Sequence, residues 1–359
     1  MPELADIFRR YGPEYRARFG KRMPPSHLRA MEDIEKCRTP QMGGHIYQCE
    51  KPSCREYLYS YHSCSNRSCP KCGQDRTEQW LLRQEKLLIP SHYFLVTFTL
   101  PSELRAVARS NQKLIYDLLF TTSAGALKKL ARDPRFIGGY IGMMGGLHTW
   151  RRDMGYHPHV HYIVPGGGLS PDNTQWIPSR DDFFVPVEAL SSIFRAMFRD
   201  VLKKTDLFEK LPPHVWQKDW VVHCKPLPDG TTALKYLAPY VYRIAITNNR
   251  IISVRNDQVM FRYKDSQTDQ WERATLPAMQ FIHRFLQHVL PRSFIKIRYY
   301  GFLAPRNRHK LQIINYILGQ IPLPVNREVP KEQLRCPRCG GRLRRIMKLP
   351  PSNRGPPEL

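Results

Sequence analysis

Hydrophobic and polar positions change their spacing several times along the chain, and these changes predict where helices and strands lie. Residues 1–36 combine basic side chains with helical turns that prolines interrupt. In residues 92–101, HYFLVTFTLP, apolar positions alternate and β-branched residues are frequent, which predicts a strand. Two more strand patterns, 140–150 and 157–168, are joined by a short polar segment and together predict a β-hairpin.

The rest of the pattern adds helices, one strand and a second hairpin. Apolar residues at helical spacing predict helices over 76–90, 102–134, 187–204, 231–246 and 276–291. A strand is predicted at 220–227 and a hairpin at 251–265. Because strands and helices follow one another without a regular βαβ repeat, we expect an α+β fold with a largely antiparallel sheet.

The overall charge points to a polyanionic partner. The chain has 359 residues, with 56 Lys and Arg against 31 Asp and Glu, and a formal charge of +25 at pH 7. This excess would destabilise a compact fold by self-repulsion unless a polyanion neutralises it, and nucleic acid is the usual one. No window holds the roughly 18 consecutive apolar residues of a membrane-spanning helix, and the N-terminus is charged from its third residue. We therefore expect a nucleic-acid-binding protein of about two or three domains, without a membrane or secretory role.

The nine cysteines are distributed unevenly. Six fall within residues 37–72, two form a late pair, Cys336 and Cys339, and Cys224 stands alone in a hydrophobic run. Their odd number and the Cys-Pro-Lys-Cys and Cys-Pro-Arg-Cys spacings favour reduced thiolates that bind metal over a disulfide framework.

The cysteine spacing predicts structural zinc. A two-knuckle layout, typical of a tetrahedral site, is formed by Cys49-x4-Cys54 and Cys69-x2-Cys72. The ligand types left over in the same stretch are predicted to complete a second site, with buried or free thiols as the alternative: Cys37, His45, His62 and Cys64. The late pair is half of a zinc ribbon and needs two more ligands, of which His309 is one candidate.

A histidine-rich strand is a candidate catalytic metal site. In HPHVHY, the period of two residues places His157, His159 and His161 on one face of the strand. Two neutral imidazoles about 7 Å apart at Cα on one strand face can converge on a single divalent ion. A surface histidine cluster on an edge strand is the alternative interpretation.

A tyrosine-rich helix is the second candidate for catalysis. In YLAPYVYR, Tyr236 and Tyr240 lie one helical turn apart and share a face, whereas Tyr242 points elsewhere. An aromatic stripe packed against the sheet is the alternative, and Pro239 would remove a backbone hydrogen bond between the two tyrosines.

Taken together, these motifs resemble a known family. A strand with the pattern His-hydrophobic-His followed by a helix with one or two tyrosines resembles the HUH single-strand endonucleases. The longer match is similar to the rolling-circle insertion-sequence transposases of the IS91 type, prokaryotic relatives of the Helitrons. It covers roughly residues 5–345 in five colinear blocks: CRTPQMGGHIYQC, SCSNRSCPKC, LHTWRRDMGYHPHVHYIVPGGG, KYLAPYVYRIAITNNRI and IRYYGFLAPRNR.

The resemblance implies roles for the two catalytic candidates. His159 and His161 would be the metal-binding pair for Mg²⁺ or Mn²⁺, and Tyr236 and Tyr240 would be the nucleophiles. Each tyrosine would retain a DNA 5′ phosphate as a covalent ester and release a 3′ hydroxyl, so that strand joining needs no ATP. We expect His148, on the preceding strand, to supply the third metal ligand, with the two other candidates, His157 and Asp153, left open.

The implied fold is an HUH endonuclease core, an antiparallel sheet flanked by helices, with an N-terminal zinc-binding module and a basic C-terminal extension. We expect the DNA-binding module at 1–90, the nuclease core at 91–250, the C-terminal region at 251–347 and a disordered tail at 348–359. Basic residues near the cysteines and the tyrosines are expected to contact DNA phosphates: Arg67, Lys71, Arg76, Lys235 and Arg243.

The predicted function is that of a transposase that nicks and joins single-stranded DNA at insertion-sequence ends and at the target. The chain lacks the phosphate-binding sequence G-x-x-x-x-G-K-[ST], so no nucleoside triphosphate is expected as a partner. The expected location is the cytoplasm of a prokaryote, in association with the nucleoid. Two other functions fit the sequence: a rolling-circle replication initiator of a plasmid or phage, and a non-catalytic zinc-containing DNA-binding regulator.

Overall fold

A computed structural model describes residues 1–242, 245–319 and 334–353. Of Gln74, Asp75, Arg76, Glu78 and residues 239–242 it describes the backbone alone. The chain divides into two compact units, each built from separate segments. The cysteine-rich unit comprises Met1–Arg76, Ile246–Val289 and Asn326–Leu359, and the five-stranded unit comprises Thr77–Ala245 and Leu290–Val325.

The helices and strands alternate irregularly along the chain. The α-helices are α1 (Leu4–Phe19), α2 (Pro25–Lys36), α3 (Gly73–Glu85), α4 (Arg105–Ser110), α5 (Gln112–Ala131), α6 (Val187–Leu202), α7 (Gly230–Tyr242), α8 (Ala278–Leu286) and α9 (Arg308–Ile317). The strands are β1 (Gly44–Cys49), β2 (Tyr57–Tyr61), β3 (Tyr93–Thr99), β4 (Met143–Trp150), β5 (Tyr156–Pro165), β6 (Gly167–Leu169), β7 (Trp176–Pro178), β8 (Val222–Leu227), β9 (Ile251–Arg255), β10 (Gln258–Lys264), β11 (Trp271–Pro277), β12 (Ile297–Tyr300) and β13 (Leu343–Leu349).

An antiparallel sheet organises the five-stranded unit. Its strand order among the described residues is β12-β4-β5-β3-β8, and every neighbouring pair in it is antiparallel. The central strand β5 pairs with β3 on one side and with β4 on the other. The register places His148 of β4 opposite His159 of β5, and Thr97 of β3 opposite His161.

Each face of this sheet is covered by different helices. Because side chains alternate along β5, Val160, Tyr162 and Val164 point into a core shared with α5 and α6. The opposite face includes Ile163 and packs against the apolar side of α7, which carries Leu237. The histidines of β5 alternate with Val160 and Tyr162, so they lie on the α7 face.

The cysteine-rich unit combines helices with two small antiparallel sheets. Helix α1 begins with a capping box between Glu3 and Asp6, which satisfies backbone N–H groups at its start. Its apolar side packs on α8, where the Phe8 and Phe285 ring centroids are 5.6 Å apart. One sheet has the order β13-β1-β2 and the other β11-β10-β9.

Most of the predicted elements are present. The α+β class with antiparallel sheets is confirmed, as are the hairpins β4–β5 and β9–β10 and the helix α7, which continues past Pro239. The sequence pattern missed β13 and its pairing with β1, because this contact joins segments about 300 residues apart.

The segments predicted as domains do not coincide with the compact units. The predicted region 251–347 is divided between them, with α9 in the five-stranded unit and β13 in the cysteine-rich unit. The predicted tail, 348–359, begins inside β13, and the Ser352 backbone N–H donates a hydrogen bond to the Pro40 carbonyl. Residues 354–359 of that tail lie outside the described residues.

Candidate metal centres and nuclease site

Four cysteines from the first 72 residues converge in the cysteine-rich unit: Cys37, Cys64, Cys69 and Cys72. All four sulfur atoms lie within 4.8 Å of one another, and Cys72 Sγ is 3.5 Å from Cys37 Sγ and 3.7 Å from Cys64 Sγ. Cys37 follows the last residue of α2, whereas Cys69 and Cys72 precede α3. A tight turn at the knuckle, in which Cys72 N–H donates to the Cys69 carbonyl, aims both thiols the same way.

A second set of four cysteines joins the two ends of the chain: Cys49, Cys54, Cys336 and Cys339. Cys49 Sγ is 3.5 Å from Cys339 Sγ, and Cys54 Sγ is 3.8 Å from Cys336 Sγ. The antiparallel pairing of β1 with β13 places Cys49 opposite Leu343, which brings the late pair beside the early one. The Arg338 guanidinium, between the late cysteines, forms an ion pair with Glu56 at 3.1 Å.

These groups correct the predicted ligand sets. Cys49 and Cys54 do not share a cluster with Cys69 and Cys72, although the spacing of both pairs was interpreted rightly as knuckles. The physical reason is the strand pairing of β1 with β13, which supplies Cys49 and Cys54 with a different partner pair.

The two predicted histidine ligands also lie elsewhere. The His45 and His62 rings are 5.0 Å apart and contact each other, but neither belongs to a cysteine cluster among the described residues. His45 lies within β1 and His62 follows β2, so both belong to the hairpin. His309, the candidate partner of the late pair, lies on α9 in the five-stranded unit.

The sulfur geometry fits zinc better than disulfides. A tetrahedral ion with Zn–S bonds of about 2.3 Å separates its sulfurs by about 3.8 Å, whereas a disulfide requires about 2.05 Å. The sulfur–sulfur separations of 3.5 to 3.8 Å in both clusters match the first value. Hydrogen bonding to Cys37 lowers the pKa of Cys72 but raises the pKa of Cys64, so neighbouring thiols do not ionise together unaided. Four thiolates therefore need a cation among them, and these clusters support structural Zn²⁺.

Three histidines converge on the α7 face of the five-stranded sheet: His148, His159 and His161. Their ring centroids are 4.5 to 5.1 Å apart, and one nitrogen of each ring lies within 4.8 Å of the others. Nitrogens at neighbouring positions around one ion, with metal–N bonds of about 2.1 Å, are about 3.0 to 3.4 Å apart. Shifts of about 1 Å at each ring nitrogen therefore suffice for all three to bind one ion.

Hydrogen bonds on Nδ1 orient two of these rings. His159 Nδ1 lies 2.7 Å from the backbone carbonyl oxygen of His157, and His161 Nδ1 lies 2.8 Å from Thr97 Oγ1. In metal sites such contacts fix the ring and its tautomer and direct Nε2 towards the ion. Burial lowers the pKa of His159 to about 4 and that of His161 well below its ordinary value. Both rings are consequently neutral at pH 7, which is the protonation state that binds metal.

Tyr236 on α7 lies beside this cluster. Its ring centroid is 6.2 Å from that of His161, and the two rings meet edge to face. Helix α7 packs over β4 here, and a Cβ added at Gly146 would be in ordinary van der Waals contact with Leu237 Cδ1, at 3.5 Å. The Tyr236 side chain remains 40% exposed, so a strand of DNA can reach it from solvent. Tyr240 lies one turn further along α7, and its side chain is outside the described residues.

The two other candidates for the third ligand have different contacts. Arg105 donates a 2.9 Å hydrogen bond to His157 Nδ1, and His157 is not part of the ligand cluster. Asp153 forms an ion pair with Arg151 at 2.9 Å and accepts a hydrogen bond from the Gly155 N–H. The structure thus brings His148, rather than either alternative, to the His159 and His161 pair.

The residues predicted to bind DNA differ in their surroundings. Burial lowers the pKa of Arg67 slightly from its usual range, and Lys71 forms a 2.6 Å ion pair with Glu3. Lys235 on α7 is exposed. The Arg76 side chain and all of Arg243 lie outside the described residues.

Sequence reasoning missed Thr97. Thr97 lies on the face of the sheet that carries the histidine cluster, and its register partner on β5 is His161. The register between separate strands, however, cannot be read from either strand alone.

Comparison with known proteins places these observations in a family. A family model described as "Transposase zinc-binding domain" matches residues 7–100, and one described as "Putative transposase" matches residues 142–310. The first match contains the six early cysteines, and the second contains the three histidines and Tyr236.

Two relatives match most of the chain. "Putative transposase y4qJ" of Sinorhizobium fredii is 40% identical over 353 residues, covering 92% of this chain and 88% of the relative. "Transposase for insertion sequence element IS801" of Pseudomonas savastanoi pv. phaseolicola is 29% identical over 339 residues, covering 86% of this chain and 80% of the relative.

The class that the fold and the sites define is therefore a zinc-binding enzyme that acts on DNA. The chain belongs to the IS91-type transposases, the family of the IS801 element. Family membership implies DNA binding and DNA cleavage. In the part of the chain that the structure describes, none of the helices is both long and apolar enough to cross a bilayer.

Proposed function

We propose that this transposase nicks and joins single-stranded DNA at the ends of its insertion sequence through covalent 5′-phosphotyrosine intermediates, as in rolling-circle transposition. The observation that carries the proposal is the convergence of three imidazoles with the exposed phenol of Tyr236 on one sheet face. A metal site and a nucleophile placed together are the two components that an HUH endonuclease needs.

His148, His159 and His161 would hold a divalent ion, which when bound polarises the scissile phosphate and orients it for in-line attack. The proposed ion is Mg²⁺ or Mn²⁺. Three imidazole nitrogens and no carboxylate favour Mn²⁺ of the two, because Mg²⁺ prefers oxygen ligands. We therefore expect Mn²⁺ to support cleavage at lower concentrations than Mg²⁺.

Tyr236 is proposed as the first nucleophile. Its Oη attacks phosphorus while losing its proton, the bond from phosphorus to the DNA 3′ oxygen breaks, and that oxygen leaves as a protonated 3′ hydroxyl. The 5′ phosphate stays on the tyrosine as an ester, so the energy of the broken bond is retained for rejoining. Tyr240, one helical turn away, is proposed as the second nucleophile, which would allow donor and target strands to be held at once.

The cysteine clusters are proposed to bind two structural zinc ions, each held by four thiolates. One ion would join α2 to the start of α3, and the other would join the β1–β2 hairpin to the Cys336–Cys339 knuckle. Structural zinc sites of this kind contribute about 10 kcal/mol or more to folding. The zinc ions would therefore hold the DNA-binding surface together and take no part in the reaction.

The first test separates cleavage from binding. His159→Ala or His161→Ala should reduce nicking of single-stranded element-end DNA in Mn²⁺ by about 1,000-fold or more, while the dissociation constant for the same DNA changes less than about threefold. The reason is that affinity comes from distributed Lys and Arg contacts, whereas the ion acts on the reacting phosphate. Parallel binding and cleavage assays measure both.

His157→Ala is the matched control, because it removes an imidazole from the same face of β5 but outside the ligand cluster. The hydrogen bond to His159 Nδ1 comes from the backbone of His157, so it survives the substitution. Equal losses of nicking in His157→Ala and His159→Ala would contradict a metal site at the cluster. Full nicking activity in His159→Ala would also contradict it, and wild-type protein that binds the DNA without nicking it would favour a non-catalytic regulator.

A further inference from the structure

A cavity of about 200 Å³ lies in the five-stranded unit, away from the histidine cluster. Four cationic side chains line it: Lys128 and Arg132 at the end of α5, Arg306 before α9, and Lys310 on α9. The same wall includes the exposed ring of Tyr140. The cavity volume is far above the roughly 10–15 Å³ that admits one water molecule, so a phosphate group fits inside.

No ion pair in the described part of the chain compensates the positive charge of this cavity. Among the described residues, no carboxylate lies within ion-pair distance of any of its four cations, whereas elsewhere in the unit arginines such as Arg135 and Arg195 do pair with aspartates. Burial, together with the charges of Arg132 and Arg306, lowers the pKa of Lys128. Four like charges around one cavity repel one another, and an anion between them would relieve that repulsion.

The backbone around the cavity is held in place by specific contacts. Gly301 has a φ of +60°, and a Cβ there would lie 1.7 Å from the Ile141 carbonyl oxygen, so only glycine permits this close approach. Asn307 Nδ2 donates a 2.9 Å hydrogen bond to the Gly301 carbonyl, which holds the loop that carries Arg306. The Tyr140 ring, which also lines the cavity, lies 5.1 Å from the Arg132 guanidinium and 5.7 Å from the Lys310 ammonium.

We propose that this cavity binds a phosphodiester of the DNA strand at a second position, remote from the scissile phosphate. This inference rests on the proposed action on single-stranded DNA. Ile141, which lines the cavity, precedes the first residue of β4 by two positions and lies seven residues before His148, which corresponds to at most roughly 24 Å of extended chain. At about 3.4 Å per phosphate, a stacked strand spans that distance with about seven nucleotides.

Such a pocket would hold the strand and set how much DNA flanking the cleavage point the enzyme engages. Phosphate contacts position a nucleic acid without reading its sequence. The pocket therefore accounts for affinity and for the required length of substrate, and it leaves recognition of the element end to other surfaces.

The test uses the full-length chain and a fluorescent dT20 oligonucleotide in KCl from 50 to 300 mM. The triple variant Arg132→Gln/Arg306→Gln/Lys310→Gln should lower the magnitude of the slope of log K against log salt by about 0.7, the contribution of one single-strand phosphate contact. The matched control Lys203→Gln/Lys204→Gln/Lys210→Gln removes the same charge from exposed positions of the same unit and should leave the slope within about 0.2 of the wild type.

A second measurement avoids substitutions altogether. Wild-type protein is acetylated with and without dT20, and the modified lysines are quantified by mass spectrometry. Lys128 and Lys310 should be protected at least fivefold by the oligonucleotide, and Lys203 and Lys204 should not be.

The outcomes separate this proposal from the proposed function. Equal slope changes in both triple variants, or unprotected Lys128 and Lys310 in protein that still binds dT20 and nicks DNA, would overturn the pocket alone. Protein that does not bind single-stranded DNA at all would overturn the proposed function as well.

Discussion

The histidine cluster and the cysteine clusters are both groups of side chains that could bind metal, but they are built over very different distances along the chain. The three histidines come from one β-hairpin, β4–β5, within 14 residues of sequence. The second cysteine cluster joins Cys49 to Cys339, 290 residues later. A site within one hairpin inherits its geometry from strand pairing, whereas a site that joins chain ends depends on the fold being complete. Loss of the ion should therefore affect the two kinds of site differently.

The largest expected effect is at the first cysteine cluster. Cys72→Ala should remove one zinc per chain and about 10 kcal/mol of folding free energy, so that the cysteine-rich unit no longer folds stably. Elemental analysis and limited proteolysis measure the two losses. Cys224→Ala is the control, because Cys224 lies in β8 outside both clusters, and it should retain two zinc ions.

The second cysteine cluster should respond more locally. Cys336→Ala/Cys339→Ala should also remove one zinc, but the proteolytic cleavage that results should begin at the C-terminal segment, because β13 is held at the edge of its sheet through β1. Zinc content together with the first cleavage sites distinguishes the two clusters. If this double variant and Cys49→Ala/Cys54→Ala each removed a different zinc ion, the assignment of the four cysteines to one site would be wrong.

At the histidine cluster, a smaller substitution should act on the ion without affecting the fold. Thr97→Val removes the hydroxyl that contacts His161 Nδ1 at 2.8 Å, and loss of such a contact typically weakens metal binding by about 10- to 100-fold. Nicking should require correspondingly more Mn²⁺ and should recover at saturation. Thr99→Val, on the same strand face, should leave the Mn²⁺ requirement unchanged, and an equal shift there would show that the hydroxyl has no specific role.

The smallest expected effect is a pH dependence of stability in metal-free protein. Burial lowers the pKa of His159 to about 4, below the ordinary 6.5, so between these values the unfolded state binds a proton that the folded state does not. Stability should therefore fall as pH falls from 6.5 towards 4, by an amount on the order of 1 kcal/mol after solvent screening. Thermal unfolding at pH 7.5 and 5.0 measures this. His159→Gln should reduce the difference, with other buried histidines such as His161 accounting for the remainder, and an unchanged pH dependence in that variant would assign it entirely to other groups.

The same contrast explains what could be predicted from the sequence. The spacing of two residues along β5 and of four along α7 is local, so the sequence could place His159, His161 and Tyr236 on defined faces. The spacing of the two-cysteine knuckles is local as well and could be recognised in the sequence. The sequence could not show which knuckles share an ion, because the pairing of β1 with β13 decides this and no local pattern encodes that pairing.

Positions that depend on the register between strands could be predicted only in part from the sequence. His148 was one of three candidates for the third ligand, and the register that sets it opposite His159 selects it in the structure. No sequence motif marked Thr97 or the four cations of the cavity, because their roles depend on the residues of other helices and strands that lie beside them.

The covalent adduct with DNA tests most directly whether Tyr236, beside the histidine cluster, is the nucleophile. Single-stranded element-end DNA is incubated with the protein and Mn²⁺, and the DNA-linked peptide is located by mass spectrometry. We expect a 5′-phosphotyrosine at Tyr236, an adduct that persists in Tyr242→Phe, and none in Tyr236→Phe/Tyr240→Phe. Attachment at Tyr242 or outside residues 236–240, or an undiminished adduct in the double variant, would contradict it.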